Sequence, residues 1–114
     1  MNLSDFSMRC NAVLDALSQV IVGKHAVVRN LLAGLLSNGH ILIEDNPGLA
    51  KTLIARLAAQ ALGLEFKRIQ FTPDLLPGDV TGSALYDART GDFEFRRGPI
   101  FAHLLLADEI NRAT

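Results

Sequence analysis

The 114-residue chain is within the size of one domain, and 49% of its residues are apolar, which is enough to bury a core. Its 11 basic and 12 acidic residues are mixed along the sequence, so no charged block indicates a nucleic-acid or anionic-membrane surface. Cys10 is the single cysteine, which excludes an internal disulfide, and no apolar run is long enough to span a membrane. These features predict a soluble cytoplasmic protein.

Two helices are predicted at the start of the chain. Apolar residues recur at helical spacing over residues 4–18, and Ser4 is placed to cap the first helix. Gly23 interrupts this pattern. A second apolar stripe then runs over residues 27–36 and stops at Asn38-Gly39, a typical helix end.

A strand-loop-helix unit is predicted next. Residues 40–44 are short, nearly all apolar and rich in β-branched side chains, as expected of a strand buried on both faces. A new helical stripe runs from Leu53 to Leu62 and stops at Gly63. The loop over residues 45–52 therefore lies at the carboxyl end of the strand.

The second half of the chain predicts three further strand regions. Residues 66–71 form a strand, and residues 72–82, with two prolines and two glycines, form mainly loop. Residues 84–87 and 92–95 predict an exposed β-hairpin that turns near Gly91, and residues 103–107 a buried strand. We expect an α/β fold in which strands 40–44, 66–71 and 103–107 are parallel, with loop 45–52 and Asp108-Glu109 at one edge.

The loop DNPGLAKT is a candidate phosphate-binding loop. Against the pattern G-x-x-x-x-G-K-[ST], Lys51 and Thr52 match, whereas Asp45 and Ala50 replace the two glycines. Asp tolerates a left-handed backbone better than most residues, and Gly48 still permits close approach to phosphates. The alternative is an ordinary strand-to-helix turn with a surface lysine. The loop, Lys51, Thr52 and the helix behind them supply every part that binding a nucleoside triphosphate requires.

The acidic pair after the last strand is the second feature that a site for a nucleoside triphosphate requires. Mg²⁺ held by Thr52 and nucleotide oxygens needs a nearby carboxylate, which we assign to Asp108, and hydrolysis needs a second one to activate water, which we assign to Glu109. Acids at a strand end often serve only to solvate it. Because both features follow buried strands, where open α/β sheets bind ligands, the sequence predicts a site for ATP and Mg²⁺.

The remaining polar residues receive structural interpretations. The three histidines lack a second ligand at metal-site spacing, and Arg96-Arg97 is interpreted as a solvated pair. Cys10 lies on an apolar helical face and is assigned to the core.

Four segments carry a resemblance to a known family: NGHILIEDNPGLAKT, RIQFTPDLLPGDVTG, GDFEFRRGPIF and LLLADEINRAT. From about Val20 onward the chain resembles the MoxR family of AAA+ ATPases. The resemblance implies part of a P-loop NTPase domain, with a helical region over about residues 1–38. It implies Walker B acids at Asp108 and Glu109, and adenine contacts at Ile21, Val22 and Gly23. The Walker A positions that it implies are Asp45, Asn46, Pro47, Gly48, Leu49, Ala50, Lys51 and Thr52, with Asn46 standing where the family usually has Val.

The resemblance also implies partners. Family members are typically homo-hexamers with a chaperone-like role on protein clients, often beside a partner with a von Willebrand A domain. The hairpin near residues 84–95 matches an insert of this branch that contacts clients or neighbours.

Two other functions stay open at this point. One is a nucleotide-binding or assembly module without turnover, because the sequence ends before the sensor residue, arginine finger and lid that the family needs. The other is a small-molecule kinase, which Glu109 disfavours because a water-activating acid suits hydrolysis. The resemblance implies that a further strand lies between the Walker A and Walker B strands, so we expect the 114 residues alone to be neither fully stable nor usefully active.

Overall fold

The computed structural model describes residues 1–44 and 51–114, and these form two compact units, Met1–Leu64 and Glu65–Thr114. The first unit contains helices α1 (Leu3–Val20), α2 (His25–Leu36) and α3 (Lys51–Ala61). The second contains strand β1 (Phe66–Gln70), a short helix α4 (Pro77–Thr81), strands β2 (Gly82–Asp87) and β3 (Asp92–Arg97), strand β4 (Leu104–Asp108) and a 3₁₀ turn (Ile110–Arg112). In the described residues, no helix has both the length and the apolar character needed to cross a bilayer.

The first unit is held together by the apolar faces of its three helices. The buried cluster takes residues from each helix and from the α1–α2 turn, namely Leu17, Ile21, Val28, Leu31, Leu32, Ile54 and Ala58. These positions follow the helical spacing of the sequence, so the predicted helices are confirmed. Cys10, which was assigned to the core, is only half-buried.

The caps of these helices correct one prediction. Asn2, not Ser4, is the N-cap of α1, because the Asn2 side chain accepts a hydrogen bond from the Asp5 N–H at 2.8 Å. Ser4 lies one position inside the helix. At the end of α2, Asn38 adopts a left-handed backbone with φ of 56°, as the Asn-Gly stop signal predicts.

The predicted strand over residues 40–44 is wrong. These residues form no strand, and Leu42 is 75% exposed. A strand exists only where a neighbour pairs with its backbone, and a short apolar run contains no information about that neighbour. The segment still contacts α2: Ile41 packs against Gly34, where a β-carbon would lie 2.5 Å from the Ile41 Cγ1 atom.

The second unit contains two separate pairs of strands. β1 and β4 are parallel, with Phe66 opposite Leu104 and Gln70 opposite Asp108, which confirms the predicted parallel arrangement for these two strands. Their starts are joined by two bonds: the Leu104 N–H donates to the Glu65 carbonyl at 3.0 Å, and the Glu65 N–H donates to Nδ1 of His103 at 2.9 Å.

The β2–β3 hairpin is antiparallel and turns through Gly91, as predicted. One of its faces carries exposed aromatic rings, including Tyr86 and Phe93, whose centroids are 5.4 Å apart. The guanidinium of Arg97 lies 5.3 Å from the ring centre of Phe101, so half of the arginine pair predicted to be solvated has an aromatic partner.

The predicted loop over residues 72–82 contains structure that the sequence interpretation missed. Helix α4 occupies Pro77–Thr81, and the Asp79 carboxylate accepts a hydrogen bond from the Leu76 N–H at 2.9 Å, which satisfies one of the donors at the helix start. Nearby, the Thr72 hydroxyl donates to the Asp74 carboxylate at 2.6 Å and lowers the pKa of Asp74.

Candidate functional site

In the first unit, the candidate site consists of the start of α3. Lys51 and Thr52 are half-buried in its first turn. They were predicted to lie in the loop but belong to the helix. The other predicted phosphate-loop positions, residues 45–50, lie outside the described residues. The buried side chains of Ile54 and Ala58 fix the helix against the core and thereby orient its N-terminus. A helix N-terminus presents N–H groups and a partial positive charge, which favour an anion.

The predicted adenine-contacting segment lies in the turn between α1 and α2. Ile21 packs into the core, Val22 is 84% exposed, and Gly23 has φ of +79°. Only a residue without a β-carbon adopts this conformation without strain. The turn thus holds Val22 outward, where it is accessible.

In the second unit, parallel pairing brings polar residues to one sheet edge. Gln70 is the last residue of β1, Asp108 is the last residue of β4, and the two are directly opposite. The Phe71 N–H continues the ladder by donating to the Asp108 carbonyl at 2.9 Å. The backbone of Asp108 is therefore fixed at the carboxyl end of the strand, as predicted, and its side chain is half-buried.

Arg68 pairs directly with Asp108, which the sequence analysis missed. Its Nη2 atom donates to Oδ2 of Asp108 at 2.6 Å and lies 3.4 Å from Oε1 of Gln70. Arg68 precedes Gln70 by two residues and so shares its face of β1. The spacing of Arg68 and Gln70 can be inferred from the sequence, but the register that places Asp108 beside Gln70 cannot.

Glu109 follows β4 in an unusual backbone conformation. Its φ and ψ are 56° and 39°, in the left-handed region, and its side chain is exposed. The Arg112 N–H donates to the Glu109 carbonyl at 2.9 Å, so the sharp turn after the strand is closed by the following 3₁₀ turn. An L-residue costs about 1–2 kcal/mol in this region, and such strain is frequent at functional sites.

The oxygen donors suit magnesium. Mg²⁺ is usually bound by one or two protein oxygens, with phosphate oxygens and water completing the shell. The Thr52 hydroxyl and the Asp108 carboxylate are donors of this kind. Residues 1–44 and 51–114 hold no group of three or more His, Cys, Asp or Glu side chains that could bind a metal.

Comparison with known proteins decides the family. Residues 40–114 match the ATPase family associated with various cellular activities (AAA), and this match covers more than half of the chain. The chain belongs to the AAA family of ATPases.

Similar proteins indicate which branch of the AAA family this chain belongs to. It is 52% identical over 101 residues to the uncharacterized protein YeaC of Bacillus subtilis (strain 168), covering 89% of the chain and 32% of the relative. It is 50% identical over 95 residues to Chaperone MoxR1 of Mycobacterium tuberculosis, covering 83% and 25%. With Protein MoxR of Paracoccus denitrificans it is 34% identical over 117 residues, covering 98% and 34%. The resemblance to the MoxR family is confirmed, and the AAA chain spans about a quarter to a third of the length of these relatives.

A solved structure supports the fold. The crystal structure of a candidate ATPase from Cytophaga hutchinsonii superposes with a TM-score of 0.71 at 40% identity, covering 98% of this AAA chain and 36% of the other. The predicted α/β class, part of a P-loop NTPase fold, is confirmed.

Proposed function

We propose that this AAA chain carries the nucleotide-binding and hydrolytic residues of a Mg²⁺-dependent ATPase of the MoxR type. One observation supports the proposal above all: parallel pairing of β1 and β4 ends β4 at Asp108, and an exposed glutamate follows immediately in a turn. In open parallel sheets, ligands bind beyond the carboxyl ends of the strands.

Each residue has a role in this proposal. Lys51 neutralises the β- and γ-phosphates, and residues 45–50 are the other proposed phosphate-binding positions. Thr52 and Asp108 would supply oxygen ligands to Mg²⁺, which would neutralise phosphate charge when bound. Glu109 accepts a proton from the attacking water, and Val22 and Gly23 contact the adenine.

The wider role is proposed from the relatives. One relative is named a chaperone, and we infer a chaperone-like action on a protein client, in the cytoplasm and within a homo-hexamer. A von Willebrand A domain protein is the partner that we would test first for co-purification.

Two variants of the full-length protein test the enzymatic role. Lys51→Ala should weaken ATP binding at least tenfold, because a charged contact to phosphate contributes about 1.5–3 kcal/mol. Glu109→Gln should bind ATP as the wild type does but release phosphate about 10²–10⁴ times more slowly, since the amide cannot accept the proton.

The two measurements are equilibrium binding of a fluorescent ATP analogue and steady-state phosphate release. Equal phosphate release by wild type and Glu109→Gln would refute the catalytic assignment. Tight binding with no turnover by the wild type would identify a nucleotide-binding module instead of an ATPase.

A further inference from the structure

The guanidinium of Arg68 contacts the Asp108 carboxylate, which the proposed function assigns to magnesium. The contact joins Nη2 to Oδ2 of Asp108 at 2.6 Å. The side chains are 39% and 28% exposed, so water screens the pair only in part. The distance is that of a direct, charge-assisted hydrogen bond.

The strand register makes the contact possible. Gln70 lies opposite Asp108, and Arg68 lies opposite Leu106, so Arg68 must reach along the sheet to meet the carboxylate. Its second contact, to Oε1 of Gln70 at 3.4 Å, holds the guanidinium over the end of β4. Arg68 therefore reaches the position at which the Asp108 carboxylate would meet a cation.

Arginine and Mg²⁺ are alternative partners for one carboxylate. Both need oxygen lone pairs, and a guanidinium beside a divalent cation is repelled strongly in a partly desolvated site. The stronger Arg68 binds Asp108, the weaker Mg²⁺ binding must be.

We propose that Arg68 is a built-in competitor of Mg²⁺ at Asp108, neutralising the carboxylate in the metal-free protein and lowering the affinity for the ion. Binding of Mg²⁺ then requires the guanidinium to leave Oδ2. Arg68 is thus a residue that sets metal affinity and not a catalytic residue. The inference rests on the proposed function, since it takes Asp108 as the metal-side residue.

The test measures Mg²⁺ affinity directly. The full-length protein is saturated with a fluorescent ATP analogue in EDTA, the nucleotide affinity is recorded, and Mg²⁺ is then titrated while fluorescence is followed. Arg68→Gln should lower the apparent Kd for Mg²⁺ about two- to fivefold, the range expected for a partly exposed ion pair that is no longer in competition. Arg68→Lys, which keeps the charge, should give a smaller decrease.

Lys67→Gln is the matched control. Lys67 is the neighbouring residue on β1 and lies on the opposite face, where it pairs with Glu65 at 3.9 Å. The variant removes the same charge from the same strand without touching Asp108. Its apparent Kd for Mg²⁺ should stay within twofold of the wild type.

The outcomes separate the two proposals. An unchanged or weaker Mg²⁺ affinity in Arg68→Gln, with nucleotide binding in EDTA intact, would overturn the competition and leave the ATPase assignment standing. Loss of nucleotide binding in EDTA by Arg68→Gln would show that the arginine is structural, which also overturns it. Failure of the wild type to bind nucleotide would refute the proposed function and, with it, this inference.

Discussion

The left-handed backbone at Glu109 predicts an inverted order of stability for two substitutions. At most positions Ala is more stable than Gly by about 0.5–1 kcal/mol, because Gly loses more backbone freedom on folding. At a φ of 56° an L-residue costs about 1–2 kcal/mol that Gly does not. The midpoints of these two ranges leave Glu109→Gly more stable than Glu109→Ala by about 0.75 kcal/mol.

Urea unfolding of the full-length protein, followed by far-ultraviolet circular dichroism, measures this difference. Both variants lack the carboxylate, so the comparison isolates the backbone. The control pair is Arg112→Gly and Arg112→Ala, in the 3₁₀ turn, where the usual order with Ala more stable should hold. If Glu109→Ala proved as stable as Glu109→Gly or more so, the strain assigned to the turn after β4 would be refuted.

Two further predictions concern local packing and capping. Gly98→Ala should destabilise the protein by about 1–3 kcal/mol, because the new methyl would collide with the Val80 carbonyl. Gly78→Ala has open space around it and should be neutral or stabilising. Urea unfolding midpoints of the two variants check both expectations, and equal midpoints would contradict the collision. Asn2→Ala should lower the free energy of unfolding by about 1 kcal/mol through loss of the helix cap, while Ser4→Ala should leave it nearly unchanged. If thermal melts showed Ser4→Ala to be the less stable variant, the sequence-based assignment of Ser4 as the cap would be restored.

Most helices and the paired strands were predictable because their signals are local. The apolar stripe ending at Asn38-Gly39 and the hairpin turn at Gly91 both rest on backbone preferences that act within a few residues. The position of the acidic pair at residues 108–109 was predictable for a similar reason, since an apolar run that ends in acids marks a strand end; the strand predicted to be buried is, however, only half-buried.

Two of the failures share a different cause. Whether residues 40–44 form a strand depends on a pairing partner, and whether Arg68 meets Asp108 depends on the register between two strands 34 residues apart along the chain. Both are relations between distant segments, which periodicity does not encode. The choice between Asn2 and Ser4 as cap failed because either side chain can accept the bond, and the first turn decides which one does.

The hydrogen bond between the Glu65 N–H and His103 Nδ1 has a consequence at the opposite end of the strands. Once the first residues of β1 and β4 are aligned, the register of every later residue pair is fixed. A shift of one residue would turn each side chain to the other face of the sheet. His103 therefore helps to fix the register that places Asp108, five residues later, opposite Gln70. A histidine at the start of a strand can in this way help to determine which face of the sheet presents the acid.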